Sequence, residues 1–429
     1  MCRKPVELTP KPTAPLAEHD AWLAKFDYEG FTTEIRALGK RLEAEQGEKD
    51  VNHLNKMIFW SNSFATIGFL TAGFSVNAIT IFCISTFIFT RWACIAHHTC
   101  HGGYQNCHPN LDRWSRFKFG LGTFWRRYND FFDWMLPEAW NVEHNNRHHY
   151  NLSELTDPDL VENNTKLLRE LNVPSFMKYP MVVFFMCTWK WFYYSANTFK
   201  ELKLAQWRRE GRKIPEGIVP EDQITVKSVI FGQNPFYSLA EYFTVVFGPY
   251  FIMHFLVGPI PWYFLGEYLD GYTGRQMFMT ALTNLVLADV LSNMHAFLCV
   301  VTNHAGDDMY RFRNACRPYS GSFFLRQVLA SANYDMGTDL IDFFHAYLNY
   351  QVEHHLWPSL SMKSYQLAAP EVQAICKKYG VPYTKHNVFW RLKKTVDIMV
   401  GNTSMRWFPE EYEALLLEKD AQMEEIKTK

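Results

Sequence analysis

Three short histidine-rich clusters hold the chemistry this chain could do: "HHTCH" with His97, His98 and His101, "HNNRHH" with His144, His148 and His149, and "QVEHH" with Gln351, His354 and His355. Eight of the 16 histidines fall in them, and more than 250 residues separate His97 from His354, so a fold that converges them on a shared metal centre is the simplest reason for the pattern. Residues four apart share a helix face, so His97 with His101 and His144 with His148 can each turn two imidazoles to one ion, while His149 points toward a second. Gln351, His354 and His355 repeat these offsets of three and four, which gives enough ligands for two metals. Neutral imidazole suits iron, zinc, copper and nickel, which leaves the metal open. The absence of HExxH weighs against zinc hydrolysis.

His304, in "VTNHAGDD" at the mouth of an apolar segment, is a further expected ligand, and His98 is the spare member of its cluster and a possible additional one. Solitary histidines such as His19, His53, His108 and His386 are read as surface or hydrogen-bonded residues. Metal-bound imidazoles give their other ring proton to a carboxylate or carbonyl. Glu143, Asp157, Asp159 and Glu353 adjoin the clusters and are candidates for that role. Asn293 joins them because it lies on nearly the same helix face as His304.

The elements that must position these residues are apolar helices. Hydrophobic residues make up 48% of the 429 and aromatics 17%, with 35 Phe, 22 Tyr and 14 Trp, yet the mean hydropathy is only -0.21. That balance points to a few membrane spans carrying a large polar part. The net charge of -1 gives no sign of a nucleic-acid partner. The nine Cys form no CxxC pair and read as reduced thiols. The N-terminus lacks the apolar stretch of a signal peptide, so the first span is expected to serve as the insertion signal.

Spans are expected at about 57–75, 76–96, 241–264 and 277–301, each near the 20 residues that cross a bilayer as helix. They form two hairpins, the first turning at 73–77. Pro249, Pro259 and Pro261 predict kinks or a helix end in the third span. The stretch 181–196, with Lys190 in its middle, reads as an interfacial helix. Before the spans, Phe31, Ile35, Leu38 and Leu42 recur at helical spacing, which predicts an amphipathic helix within 22–48. Lys and Arg accumulate over 113–227 and are sparse in the turns, which places both termini and all three clusters on the cytosolic side. The expected architecture is all-α and polytopic, with four transmembrane helices and a helical cytosolic cap holding a dimetal site. Its parts are a cytosolic segment over 1–55, a membrane domain over 56–400 and a polar tail over 401–429.

The spaced boxes HxxxH, HxxxHH and QxxHH resemble those of membrane fatty acid desaturases. "LNYQVEHHLWP" (348–358) and "APEVQAICKKYGVPY" (369–383) are most similar to front-end desaturases. The likeness covers about 57–385. It implies a non-haem centre of two Fe ions that uses O2 and two electrons to remove two hydrogens from a fatty acyl chain carried on lipid or coenzyme A. The family pattern assigns His97, His101, His144, His148, His149, His354 and His355 to the metals, with Gln351 and His304 beside them. The endoplasmic reticulum membrane is implied by the same likeness. Two departures stand out. No HPGG motif of a fused cytochrome b5 domain is present, so electrons are expected from a separate donor, cytochrome b5 or a ferredoxin. His345, Ala346 and Tyr347 replace the small residues usual before "LNYQ". Alternatives are a lipid hydroxylase or monooxygenase of the same superfamily, then a zinc-binding membrane hydrolase or receptor.

Overall fold

The computed structural model describes residues 15–428 apart from 132–133, 226–227, 229 and 232–233. The start of the expected N-terminal segment (1–14), Lys227 at the end of the basic loop and Lys429 lie outside the described residues. The chain is mostly helical, and the helices that matter here are α1 (Tyr28–Ala44), α2 (Glu48–Thr71), α3 (Ala78–Cys100), α4 (Ser175–Trp189), α5 (Ser195–Arg209) and α6 (Leu239–Tyr268). They continue with α7 (Gly274–Asn303), α8 (Gly321–Leu329), α9 (Gln351–Leu356), α10 (Met362–Tyr379), α11 (Val388–Val400) and α12 (Glu410–Thr428). Two parallel pairs of two-residue strands pin the loops between them: Tyr310–Arg311 with Arg406–Trp407, and Ala332–Asn333 with Thr384–Lys385.

The N-terminal periodicity forms α1, where Phe31, Ile35, Leu38 and Leu42 are all buried, against α8 and α10. Asp27 starts this helix by accepting from the Gly30 amide at 3.0 Å. The first hairpin turns between α2 and α3, and Asn284 of α7 seals it by donating to Ala72 O at 2.7 Å and Ser75 O at 2.9 Å. Of the described helices, α3, α6 and α7 are long and apolar enough to cross a membrane. The expected span at 57–75 falls in α2, which stops at Thr71 and is diluted by Ser61, Asn62 and Ser63, so it does not reach that measure. Phe59, Ile67 and Leu70 on α2 nevertheless face outward.

Pro249 of α6 marks a departure from α geometry. Pro249 cannot donate to the helical ladder, and the helix widens into π turns on either side of it, at Phe243–Phe247 and Ile252–Val257.

The stretch 181–196 differs from its expected interfacial role. It belongs to a continuous helix in which α4 passes through a π turn, Lys190–Tyr194, into α5. Lys190 is fully buried, with Nζ 2.9 Å from Asp289 Oδ1 and 3.2 Å from Ser292 Oγ, both on α7. Tyr250 of α6 donates to the other oxygen of the same carboxylate. Asp289 is what draws Lys190 inward: a lysine can leave water when a carboxylate and a hydroxyl replace its hydration. One carboxylate thereby joins three helices. The expected polar tail also differs, since α12 buries Glu413 and Leu416.

Removing one partner of a buried ion pair strands the other and costs about 3–5 kcal/mol. Lys190→Met is therefore expected to lower the unfolding temperature in detergent sharply, and Lys190→Met with Asp289→Leu to recover part of the loss. Size-exclusion profiles after heating measure both.

Candidate metal centre

All three boxes arrive at one buried place. α3 changes from α to π geometry over Thr90–Ala96 and returns to α at His97, so a widened turn sets the rotation of His97 and His101. Ser61 of α2 bonds Thr90 at 2.9 Å and fixes the start of that turn. The second box is not the single helix face that its spacing predicts. His144 lies in a π turn, Asn141–Asn145, and His148 and His149 in a short 3-10 turn, His148–Tyr150. The third box is helical: α9 carries Gln351, His354 and His355, all buried. Asn333 fixes its start by accepting from the Val352 amide at 2.8 Å.

Ligand atoms of His97, His101, His144 and His354 lie within 4.8 Å of one another, and so do those of His148, His304 and His355. His149 stands with His354 and His355 in a third such set that joins the two. His97 Nε2 and His354 Nε2 are 3.0 Å apart, and His144 Nε2 and His149 Nε2 3.3 Å. Gln351 Nε2 is 2.8 Å from His304 Nε2. His98 stands apart, with its Nε2 3.2 Å from Ala346 O.

Four outward ring nitrogens are held by the protein. His148 Nδ1 is 2.9 Å from Asp157 Oδ1, His304 Nδ1 2.9 Å from Ala330 O, His355 Nδ1 3.1 Å from Gln327 Oε1 and His354 Nδ1 3.3 Å from Tyr365 Oη. Asp157 is held in turn by the Ser153 and Asp159 amides at 2.8 and 2.9 Å. Of the residues expected to take a ring proton, Asp157 does so directly, and Asp159 borders His148 at 3.9 Å. Glu143 faces Tyr194, Glu353 accepts from Asn333 and Tyr383, and Asn293 engages Lys190 N and Asp289 O. Gln327, Ala330 and Tyr365 belong to no box, and sequence reasoning missed them. The one signal for Gln327 was an amide set within the apolar run "GSFFLRQVL".

Burial, reinforced by neighbouring imidazoles, holds His144, His149, His354 and His355 well below the ordinary imidazole value, and burial beside His148 takes His304 down to about 3. Burial works against the charge on His148 too, but the Asp157 and Asp159 carboxylates outweigh it and raise its value. Burial lifts Asp159 up to about 6 and Glu353 to about 7. The set thus offers mostly neutral imidazoles, the form that binds metal. His101 Nε2 and His355 Nε2 are buried without a hydrogen-bond partner. Each such group costs about 1–3 kcal/mol unless something fills it. The residues therefore fit a metal. An open cleft of about 390 Å³, with Arg36, Lys40 and Arg116 on its walls, reaches His101 and His149.

The depressed values carry a pH dependence. Unfolded imidazole titrates near about 6.5, above the folded values of His144, His149, His304, His354 and His355. As pH falls the unfolded chain takes up protons first, so their contribution is complete above about 6.5 and declines below it. His148 opposes this, and so do Asp159 and Glu353, whose raised values let the folded chain take up their protons first. Thermal midpoints of the metal-free protein are expected to fall steadily from pH 7 toward pH 5.

Comparison with known proteins agrees with this geometry. The profile of the family described as Fatty acid desaturase matches residues 73–387. An NADPH-dependent stearoyl-CoA 9-desaturase of Mycobacterium tuberculosis is 30% identical over 120 residues, 28% of each chain. A Delta(5) fatty acid desaturase A of Dictyostelium discoideum is 26% identical over 25% of this chain and 24% of its own. A Delta(8)-fatty-acid desaturase of Euglena gracilis is 36% identical over 14% of each. The alignments thus cover well under a third of these relatives' length. No solved structure gives a significant match. On the profile match across most of its length, the chain belongs to the fatty acid desaturase family.

Proposed function

We propose that this protein desaturates fatty acyl chains at a centre of two irons held by His97, His101, His144, His148, His149, His304, His354 and His355, with Gln351 beside them. The observation that carries the reading is the convergence of three distant boxes and His304 in one buried, neutral cluster reached by a cleft. Iron held there would activate O2, the oxidant of a reaction in which CH2–CH2, O2, two electrons and two protons give CH=CH and two waters. The chain's own part is to ligate, orient and exclude water. Asp157, Gln327, Tyr365 and Ala330 O turn imidazole nitrogens inward.

Membrane placement and partners belong to the same reading. α2 makes a fourth span with α3, α6 and α7, its outward Phe59, Ile67 and Leu70 facing lipid. The boxes and both termini face the cytosol, in the endoplasmic reticulum membrane. Residues 56–400 are the catalytic unit, and a separate cytochrome b5 or ferredoxin delivers electrons. Arg36, Lys40 and Arg116 match the phosphates of an acyl carrier, lipid or coenzyme A, with the chain passing toward His101 and His149.

Expression in a yeast host fed candidate acyl chains, followed by mass spectrometry, tests the reading. A product two mass units lighter, absent with His354→Ala, is expected. An oxygenated product replaces desaturation with hydroxylation, and no product with zinc bound ends the iron reading. Lys40→Glu with Arg116→Glu is expected to raise KM about tenfold, about 1.4 kcal/mol of binding, with little change in kcat. Steady-state kinetics on the purified protein with its donor measures the split.

A further inference from the structure

Gln327 lies in α8, a helix whose nine residues are all buried. An amide in such a place is retained only when its polar atoms are matched. Both are matched at the metal centre: Oε1 is 3.1 Å from His355 Nδ1 and Nε2 is 3.4 Å from the His149 carbonyl oxygen. A carbonyl only accepts, so the amide nitrogen must face His149. The amide oxygen must then face His355, and an oxygen there requires a hydrogen on His355 Nδ1. The backbone of box two thus sets the tautomer of box three. His355 Nε2, buried without a hydrogen-bond partner, is left as the lone pair turned into the cluster, and the His149 and His355 rings stack at 4.2 Å.

The helix that carries Gln327 is held from outside the centre. Asp420 of α12 accepts from the Gly321 and Ser322 amides at 3.0 and 3.3 Å, at the start of α8. Arg326, one residue before Gln327, donates to Glu154 at 2.7 Å and to Glu413 of α12 at 3.1 Å. These bonds fix the rotation of α8 and so the direction of the amide. Ala330 O, at the end of the same helix, holds His304.

We propose that Gln327 is a positioning residue that locks His355 in its Nδ1-protonated, Nε2-ligating form and couples it to His149. The inference rests on the cluster being a metal centre. Its test is iron per chain and the iron absorption and Mössbauer spectra of purified full-length protein, loaded with ferrous iron, for wild type, Gln327→Leu and Gln327→Glu. Leu keeps the size and removes both the acceptor and the donor; Glu keeps an acceptor for His355, alters its strength and gives up the donor to the His149 carbonyl. Gln327→Leu is expected to weaken iron binding about tenfold or more, and Gln327→Glu to keep its iron with a shifted spectrum. Leu with wild-type iron and spectrum overturns the proposal, as does Glu losing iron as fully as Leu, which reduces the site to packing. If Leu does not fold, Glu decides alone: iron kept with a shifted spectrum supports the proposal, and an unchanged spectrum or lost iron overturns it. A wild type that binds no metal overturns the metal reading itself, and the inference with it.

Discussion

Eight imidazoles crowded into one desolvated space are the constraint on which the rest of the structure depends. Charged, they would repel one another where no water screens them; neutral, each has one donor and one acceptor nitrogen that must be directed. Burial keeps most of them neutral. The surrounding protein settles direction, and it does so with unlike groups: a carboxylate at His148, a carbonyl at His304, an amide at His355 and a phenol at His354. Only His148 has a carboxylate partner, and only there is an imidazole value raised among the histidines outside the spans that join the cluster. The candidate metal centre is thus tuned at these four positions by which atom faces Nδ1.

Departures from α geometry are the means by which the helices deliver these rings. A π turn inserts one extra residue and rotates the next part of the helix by about 100°. One such turn ends just before His97, another contains His144, and a third begins at Lys190. The third carries no ligand, yet it allows a buried lysine to reach Asp289, and that carboxylate also holds Tyr250. The pair locks α6 and α7 to the α4–α5 helix, and His304 leaves the end of α7. Packing within the helical bundle and the geometry of the centre are therefore one problem.

Segments outside the matched family region share in the support. α1 supplies Arg36 and Lys40 to the cleft, while Glu413 and Asp420 of α12 hold α8. Backbone conformation in front of box three adds to it. Ala346 and Tyr347 there both have positive φ, 53° and 59°, and both are buried. That conformation costs about 1–2 kcal/mol per non-glycine residue. It is held by the Tyr347 amide on Asp342 O, by Tyr347 Oη at 2.7 Å from His53 Nε2, and by Ala346 O facing His98.

Sequence alone determined the residue types and where the apolar helices run. Histidines at offsets of three and four mark candidate metal ligands by chemistry, because imidazole is a good ligand in any fold that gathers it. The periodicity of Phe31, Ile35, Leu38 and Leu42 and the long apolar runs of α3, α6 and α7 identify helices, because burial of one face or of all faces leaves its mark locally. Tertiary structure decided what depends on distant partners. Lys190 reads as a surface charge until Asp289, 99 residues away, is seen to neutralise it. Gln327 is an ordinary amide until His149 and His355 close on its two ends. His98 stands outside the converging groups of ring nitrogens, with its Nε2 on a carbonyl 248 residues on. A side chain's chemical capacity is written in its own atoms, whereas the state in which it acts is set by atoms that only the folded chain brings within reach.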